Sequence, residues 1–230
     1  MKYTALFILM ATFAAYAAIT ANPMPIQLLL SLSALSLLVV GAAYGGNRPS
    51  LLFKRSEGTR AWWAWGIMWP YYGMVWTSFW VYRVTNRQAA STEISKGIWL
   101  SRRLLYKESR RVAVKWAAVV DLAAEFGRTP LPETAYLSLP VLDGIPPSIE
   151  QLRLGIDWIN QHQTVGPVLI HCALGHGRSA SLIIAWMVST GKVIDVEQGL
   201  ARLQKMRPGV GLKPDQLRRL QEWISIVNRD

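Results

Sequence analysis

Two long stretches near the N-terminus carry no charged side chain, and they limit what this chain can fold into more than any other feature. The first runs from Tyr3 to Thr20, and the second runs from Ile26 to about Gly46. A stretch of about 18 to 21 apolar residues is long enough to cross a bilayer as a helix. The sequence therefore predicts two membrane helices, at about 3–20 and 26–46, with Asn22 to Pro25 as the turn between them.

The first stretch also has features of a cleavable signal peptide, because small residues cluster near its end. These are Ala14, Ala15, Ala17 and Ala18. If this segment were removed, the second stretch would still anchor the chain. The arrangement we favour is a helical hairpin with both of its ends on the side of the membrane that carries the basic residues.

A third apolar segment, residues 61–84, is unusually rich in aromatic side chains and contains Pro70. Trp and Tyr prefer the membrane interface to the hydrocarbon centre, and basic residues flank this segment on both sides. We therefore favour an interfacial or re-entrant element over a true third crossing. Two crossings place the rest of the chain in the cytoplasm, whereas three place it outside, so an integral membrane protein with a cytoplasmic C-terminal part is expected.

Charge divides the chain into two parts. Residues 1–96 contain eight Lys or Arg and two Asp or Glu, whereas residues 97–230 contain seventeen and twelve, which gives a net charge of +11 in total. Basic clusters beside apolar spans are attracted to anionic lipid headgroups, although positive-inside topology alone also explains them. Nucleic acid is not an expected partner, because no recognition motif accompanies the charge. The lone cysteine excludes an intramolecular disulfide, and no metal site is indicated.

From residue 97 onward, short apolar runs alternate with amphipathic stretches, which indicates an α/β fold with a short sheet flanked by helices. Residues 85–96 are polar and without periodicity, so they are interpreted as a linker between this domain and the membrane region of residues 1–84. The expected strands are Ile98–Leu100, Ala118–Leu122, Ala135–Leu139 and Val168–His171, and the expected helices are Ile149–Gln161, Ser179–Thr190, Val196–Met206 and Asp215–Val227.

The segment between the last strand and the helix that follows it carries the chemistry. After His171 it reads Cys172, Ala173, Leu174, Gly175, His176, Gly177, Arg178, Ser179. A strand that feeds a glycine-containing loop and then opens a helix can direct its backbone N–H groups to one centre, which forms an anion cradle. The same field favours the thiolate of Cys172, a strong nucleophile. Arg178 can clasp two phosphoryl oxygens, and Ser179 can donate its hydroxyl to the sulfur.

The pattern His-Cys-x5-Arg-Ser resembles the signature of the protein tyrosine phosphatase superfamily, and the short domain resembles its dual-specificity branch. The resemblance covers residues 97–230 and includes Arg207-Pro208 before the last helix. It implies a metal-free and cofactor-free reaction through a phosphocysteine on Cys172. It further implies that the loop of residues 173–178 binds phosphate and that His171 orients the loop backbone.

The family also requires a general acid on a loop about thirty residues before the cysteine. Asp143 lies 29 residues before Cys172, between a strand and a helix whose start has a capping-box pattern. We therefore expect Asp143 to protonate the leaving group and then to act as the base. Asp121 follows a buried strand and is expected to be structural.

The substrate stays open between two classes. The loop lacks the extra lysines that phosphoinositide-cleaving relatives often carry, since Ala173 and Leu174 occupy those places. This favours a phosphoprotein, modified on tyrosine or on serine and threonine. The membrane segments and basic flanks favour the alternative, a lipid or inositol phosphate. A membrane scaffold that binds phosphorylated partners without turnover is a further alternative, which the joint presence of Cys172, Arg178 and Asp143 disfavours.

Overall fold

The structure is a computed structural model that describes residues 2–131 and 134–227 of the chain. The last three residues of the predicted domain, 228–230, lie outside this description. The described residues form two compact units. The first contains residues 2–55, 59–86 and 124–127, and the second contains residues 56–58, 87–123, 128–131 and 134–227.

Helices build the first unit. Helix α1 (Lys2–Thr20) and helix α2 (Met24–Gly45) form an antiparallel pair, and both are long and apolar enough to cross a membrane. Their backbones approach closely because Gly41 faces Ile8, where a Cβ would lie 3.1 Å from the Ile8 side chain. Small residues at such contacts let membrane helices pack tightly. The crossing of a bilayer by these two helices stays a prediction.

The aromatic segment forms one continuous helix, α3 (Trp62–Thr85), which includes Pro70. Its Trp76 and Phe79 pack against Phe126, with ring centroids 5.1 and 5.2 Å apart. Several of its tryptophans are exposed, and Trp62 is the most exposed of them at 84%. An element that lies in the membrane interface is compatible with one continuous helix, and this placement also stays a prediction.

A five-stranded mixed sheet forms the centre of the second unit. The strands are β1 (Ser91–Ser95), β2 (Ile98–Ser101), β3 (Ala118–Ala123), β4 (Ala135–Val141) and β5 (Val168–His171), in the spatial order β1-β2-β5-β3-β4. Strand β1 is antiparallel to β2, and the other pairs are parallel. The helices of this unit are α4 (Tyr106–Arg111), α5 (Ile149–His162), α6 (Arg178–Ser189), α7 (Val196–Met206) and α8 (Pro214–Val227). The α/β prediction is therefore confirmed.

Strand β5 lies in the middle of the sheet, between β2 and β3, and all four of its residues are buried, as is typical of a central parallel strand. Its last residue, His171, is in register with Ser101 of β2 and with Asp121 of β3. The carboxyl ends of these parallel strands therefore meet at one edge of the sheet. Loops that follow such an edge are the usual place for a ligand in an open α/β sheet.

The predicted elements of the second unit are present, with ends that differ by no more than two residues. The expected capping box of α5 is present, since Ser148 Oγ accepts the Gln151 N–H and Gln151 Oε1 accepts the Ser148 N–H. One expectation is corrected, because residues 85–96 are not an irregular linker. They contain β1, which pairs with β2 and buries Ile94. Helix α4 was not expected from the sequence.

Candidate active site

The loop between β5 and α6 is held in a tight curve by contacts with the last residue of β2 and with the residues that follow it. The backbone N–H of Arg103 donates to the carbonyl of Ala173 over 2.9 Å. Gly175 adopts a φ of 74°, and a Cβ at this position would lie 2.5 Å from the carbonyl oxygen of Ser101. Only glycine fits a left-handed backbone that approaches another backbone so closely. These contacts therefore fix the curved backbone of the loop.

Cys172 lies at the start of this loop and is only 3% exposed. The Ser179 hydroxyl, in the first turn of α6, donates to Cys172 Sγ over 3.3 Å. Ser179 itself is fully buried, so its side chain has a fixed place beside the sulfur. The structure thus places the expected supporting residue within hydrogen-bond distance of the expected nucleophile.

Arg178 opens α6 and is buried, with 1% of its surface exposed. Its Nη1 donates to the carbonyl of Val141 over 2.8 Å, and its Nη2 lies 3.0 Å from Asp143 Oδ1. The Asp143 side chain is 69% exposed. Arg178 therefore brings the loop after β4, which carries the expected acid, next to the loop that carries the expected nucleophile.

Helix α8 also contacts the loop that carries Asp143. Gln216, which is 2% exposed, donates from Nε2 to the carbonyl of Ile145 over 3.3 Å, while its Oε1 accepts the Lys213 N–H over 3.0 Å. A Cβ added to Gly177 would lie 3.1 Å from the Gln216 side chain. Gln216 therefore lies between the loop that carries Asp143 and the loop of residues 172–178, which we call the phosphate loop after its expected role.

His171 supports the loop from beneath. It is buried, with Nδ1 3.0 Å from the carbonyl oxygen of Cys172 and Nε2 2.9 Å from Thr129 Oγ1. A carbonyl oxygen can only accept, so Nδ1 carries a proton, and Nε2 shares a hydrogen bond with the Thr129 hydroxyl. This arrangement fixes the orientation of the Cys172 carbonyl, in the positioning role expected for His171.

Asp121 is held by structural partners, as its sequence context predicts. Its Oδ1 accepts the Ala123 N–H over 2.9 Å, and its Oδ2 accepts the hydroxyl of Tyr136. Burial, together with the adjacent Asp121 carboxylate, raises the pKa of Tyr136, so the phenol remains a donor. Asp121 therefore stabilises the pairing of β3 with β4, and its Oδ1 also lies 3.8 Å from Nδ1 of His171.

Arg207, at the end of α7, supports the phosphate loop, and in the sequence it is indicated only by the resemblance to the phosphatase superfamily. It is 2% exposed and donates to the carbonyls of Leu174, over 3.0 Å, and Ala89, over 2.8 Å. Its Nη1 also lies 3.4 Å from Thr92 Oγ1. Arg207 thus connects the phosphate loop to β1 and to the residues before it. No local pattern could have indicated Ala89 and Thr92 as partners, because they lie 118 and 115 residues away in the chain.

His176 is half-buried within the loop, and its Nε2 lies 3.0 Å from Oε1 of Gln88. Burial, and to a smaller extent the nearby Arg207 cation, lowers the pKa of His176 to about 4. The ring is therefore neutral at physiological pH and adds no charge to the loop. Among the described residues, no three His, Cys, Asp or Glu side chains lie close enough together to hold a metal ion.

Comparison with known proteins identifies the family. The model of the dual specificity phosphatase catalytic domain matches residues 111–226. A curated human relative, phosphatidylglycerophosphatase and protein-tyrosine phosphatase 1, is 29% identical over 92 residues, which is 40% of this chain and 45% of the relative. The rat protein of the same name is 27% identical over the same length and is covered to 47%. The matches therefore span less than half the length of these relatives.

Solved structures show the same fold. PTPMT1 in complex with PI(5)P superposes with a TM-score of 0.55 at 20% identity, covering 61% of this chain and 98% of that one. The active form of Tk-PTP superposes with a TM-score of 0.52 at 27% identity, covering 59% and 97%. Human DUSP28 gives a TM-score of 0.56 at 15% identity, covering 61% and 97%. At 20% and 15% identity, the first and third of these establish the fold alone.

Proposed function

This chain belongs to the dual specificity phosphatase family, and on that premise we propose that it hydrolyses phosphate monoesters through a phosphocysteine formed on Cys172. One observation carries the proposal. Cys172, Arg178 and Asp143 come from two separate loops, yet Ser179 Oγ lies 3.3 Å from the sulfur and Arg178 Nη2 lies 3.0 Å from the carboxylate. The nucleophile, the cation and the acid are therefore grouped around one curved loop.

In the first step, the Cys172 thiolate attacks phosphorus and the bond to the leaving oxygen breaks. The loop N–H groups and Arg178 stabilise the charge on the equatorial oxygens. Asp143 transfers its proton to the leaving oxygen, so the departing group leaves as an alcohol or a phenol. Asp143 is exposed enough to reach a substrate that enters from solvent or from a membrane surface.

In the second step, water attacks the phosphocysteine and Asp143, now a carboxylate, accepts the proton from that water. The S–P bond breaks, and inorganic phosphate leaves. The Ser179 hydroxyl, 3.3 Å from the sulfur, stabilises the thiolate that is released. His171 and Arg207 hold the carbonyls of Cys172 and Leu174, which keeps the loop curved during both steps.

For the substrate, we propose a phospholipid that ends in a phosphate monoester. The loop sequence favoured a phosphoprotein, but the relatives support the lipid alternative better. The curated relatives are named for phosphatidylglycerophosphatase activity, and one related structure holds PI(5)P. Helices α1 and α2, which are long and apolar enough to cross a membrane, would hold the domain near such a substrate. The same relatives are also named for protein-tyrosine phosphatase activity, so phosphotyrosine is the second candidate.

The test is a substrate panel with the full chain purified in detergent micelles. Phosphate release is measured from phosphatidylglycerophosphate, PI(5)P, phosphotyrosine peptides and phosphoserine peptides. We expect a lipid to have a higher kcat/KM than any peptide. A phosphopeptide that is turned over faster than every lipid would reject the lipid proposal and leave the phosphatase proposal intact.

Cys172→Ser is the control for the chemistry, because it removes the nucleophile from a site whose surroundings are otherwise unchanged. The variant should release no phosphate from any substrate in the panel and should bind a phosphorylated ligand as wild type does. Turnover at the wild-type rate in Cys172→Ser would reject the phosphocysteine mechanism. Absence of turnover in the wild type, with binding retained, would support the scaffold alternative.

We also propose that the catalytic domain lies in the cytoplasm, on the same side as both ends of the α1–α2 hairpin. Cys172 is the chain's only cysteine, so Cys172→Ser provides a background free of thiols. A single cysteine in place of the exposed Glu197 of α7 can then be labelled with a membrane-impermeant maleimide. Labelling of intact cells would contradict a cytoplasmic domain, whereas labelling only after lysis would support it.

A further inference from the structure

The residues that follow β2 expose a group of positive charges on one face. Lys107, Arg110 and Arg111 are separated by three and four residues within α4, so they lie on the same side of this helix. All three are exposed, and so is Lys115 after the helix. We call Lys107, Arg110, Arg111 and Lys115 the basic face.

The three acidic residues between positions 101 and 128 either pair with a basic side chain or are buried. Glu108 forms two hydrogen bonds with Arg102, of 2.9 and 2.7 Å, and also accepts the Leu105 N–H. Asp121 and Glu125 are buried. Helix α8 differs, because its Arg218 and Arg219 each lie close to a carboxylate of the same helix, and such pairs neutralise one another.

The basic face lies close in sequence to the candidate active site. Residues 101–103 support the phosphate loop, through the close approach of Ser101 to Gly175 and the bond from Arg103 N–H to Ala173. Helix α4 begins three residues later, beyond the same carboxyl edge of the sheet that holds Cys172. A surface bound by the basic face would therefore lie beside the phosphate loop.

We propose that the basic face docks on an anionic bilayer and holds the active-site edge of the catalytic unit against the lipid headgroups. Each Lys or Arg near such a surface contributes roughly fivefold to affinity. Tyr106, which is 60% exposed and stacks with Arg110 at 5.4 Å, suits the headgroup region. Helix α3 ends at Thr85 and the catalytic unit continues from residue 87, so the connection to the anchor is short and keeps the effective concentration of membrane high.

Hydrogen exchange of the full chain in nanodiscs tests this contact. Exchange of residues 104–115 is compared between nanodiscs of phosphatidylcholine alone and nanodiscs that also contain phosphatidylserine. Phosphatidylserine is a phosphodiester, so a monoester phosphatase does not consume it. We expect slower exchange with phosphatidylserine, and recovery at 1 M salt, where the screening length falls to about 3 Å.

Lys107→Gln/Arg111→Gln removes two charges of the basic face and should lower its affinity for the phosphatidylserine surface about 25-fold, which is measured as a loss of protection. Arg202→Gln/Lys205→Gln removes two exposed charges from α7 and serves as the matched control, which should behave as wild type. Neither variant should change turnover of a soluble aryl phosphate, since all four side chains are exposed and lie outside the loop of residues 172–178.

Several outcomes would overturn the proposal. Equal exchange in the two kinds of nanodisc would do so, and so would equal losses in the α4 and α7 variants. If polyglutamate slowed the exchange of residues 104–115 and phosphatidylserine did not, the result would indicate an acidic protein partner instead. The contact does not depend on catalysis. If phosphatidylserine protects residues 104–115 but the protein hydrolyses no lipid, the docking proposal stands and only the proposed lipid substrate is rejected.

Discussion

Gly175→Ala tests whether the backbone of the phosphate loop closely approaches the end of β2. An alanine in the left-handed region costs about 1–2 kcal/mol. The new Cβ would also lie 2.5 Å from the Ser101 oxygen and 2.9 Å from the Arg102 nitrogen, and both are backbone atoms that cannot rotate away. Overpacking of this kind adds about 1–3 kcal/mol. We therefore expect a total loss of about 2–5 kcal/mol in unfolding free energy.

Gly191→Ala separates the two contributions. Gly191 also has a positive φ, of 65°, but no heavy atom of the described residues lies within 4 Å of its Cβ position. It should therefore lose only the conformational part, about 1–2 kcal/mol. Both variants are compared by urea-dependent proteolysis of the full chain in detergent, which reports the unfolding free energy of the catalytic unit.

Activity provides the second measurement. A displacement of about 1 Å at a catalytic site can lower turnover about 100-fold, and a Cβ at residue 175 requires the loop to move. Turnover of an aryl phosphate should thus fall in Gly175→Ala and stay near wild type in Gly191→Ala. If the two variants had the same stability and the same turnover, the close approach of Gly175 to Ser101 would not exist in the protein.

Three further predictions concern titratable groups. Asp143→Asn should lower kcat for an alkyl phosphate about 10²–10⁴-fold. It should lower kcat much less for p-nitrophenyl phosphate, because that leaving group needs no proton. The control Asp157→Asn on α5 should leave kcat for both substrates unchanged. Tyr136→Phe removes the hydroxyl that donates to Oδ2 of buried Asp121 and should cost about 1–3 kcal/mol in urea unfolding, with kcat unchanged. A variant as stable as wild type would contradict that bond. Because the pKa of His176 is lowered to about 4, the unfolded chain binds its proton first, so stability should fall between pH 6.5 and 4 and fall less steeply in His176→Gln.

The sheet could be predicted from sequence where burial determines the pattern. Strand β5 lies between β2 and β3 and is buried on both faces, so its residues form a continuous apolar run. Strand β1 has one neighbour only, and its sequence Ser-Thr-Glu-Ile-Ser buries a single side chain, Ile94. An edge strand of this kind has no sequence signal apart from its pairing with β2. Helix α4 escaped prediction because it has only six residues and none of them is buried.

The site was predictable to the extent that it is local. Cys172, Arg178 and Ser179 belong to one strand-loop-helix segment, so their spacing alone indicates an anion cradle. Their catalytic roles stay predictions. Thr129 and Gln88 contact the two histidines of the same segment, but they lie 42 and 88 residues away from them in the chain. Contacts of that kind follow from the order of strands in the sheet, which no local periodicity encodes.

Arg207 has a consequence for the order in which the protein is made. Its guanidinium donates to the carbonyls of Leu174 and Ala89, and Ala89 lies 118 residues before Arg207 in the chain. At a synthesis rate of about 5–20 residues per second, Arg207 is therefore translated roughly 6 to 24 s after Ala89. The N-terminal hydrophobic helices are made earlier still. A nascent chain can therefore reach the bilayer before Arg207 is available to bond the phosphate loop. Catalytic competence should thus appear only near the end of translation.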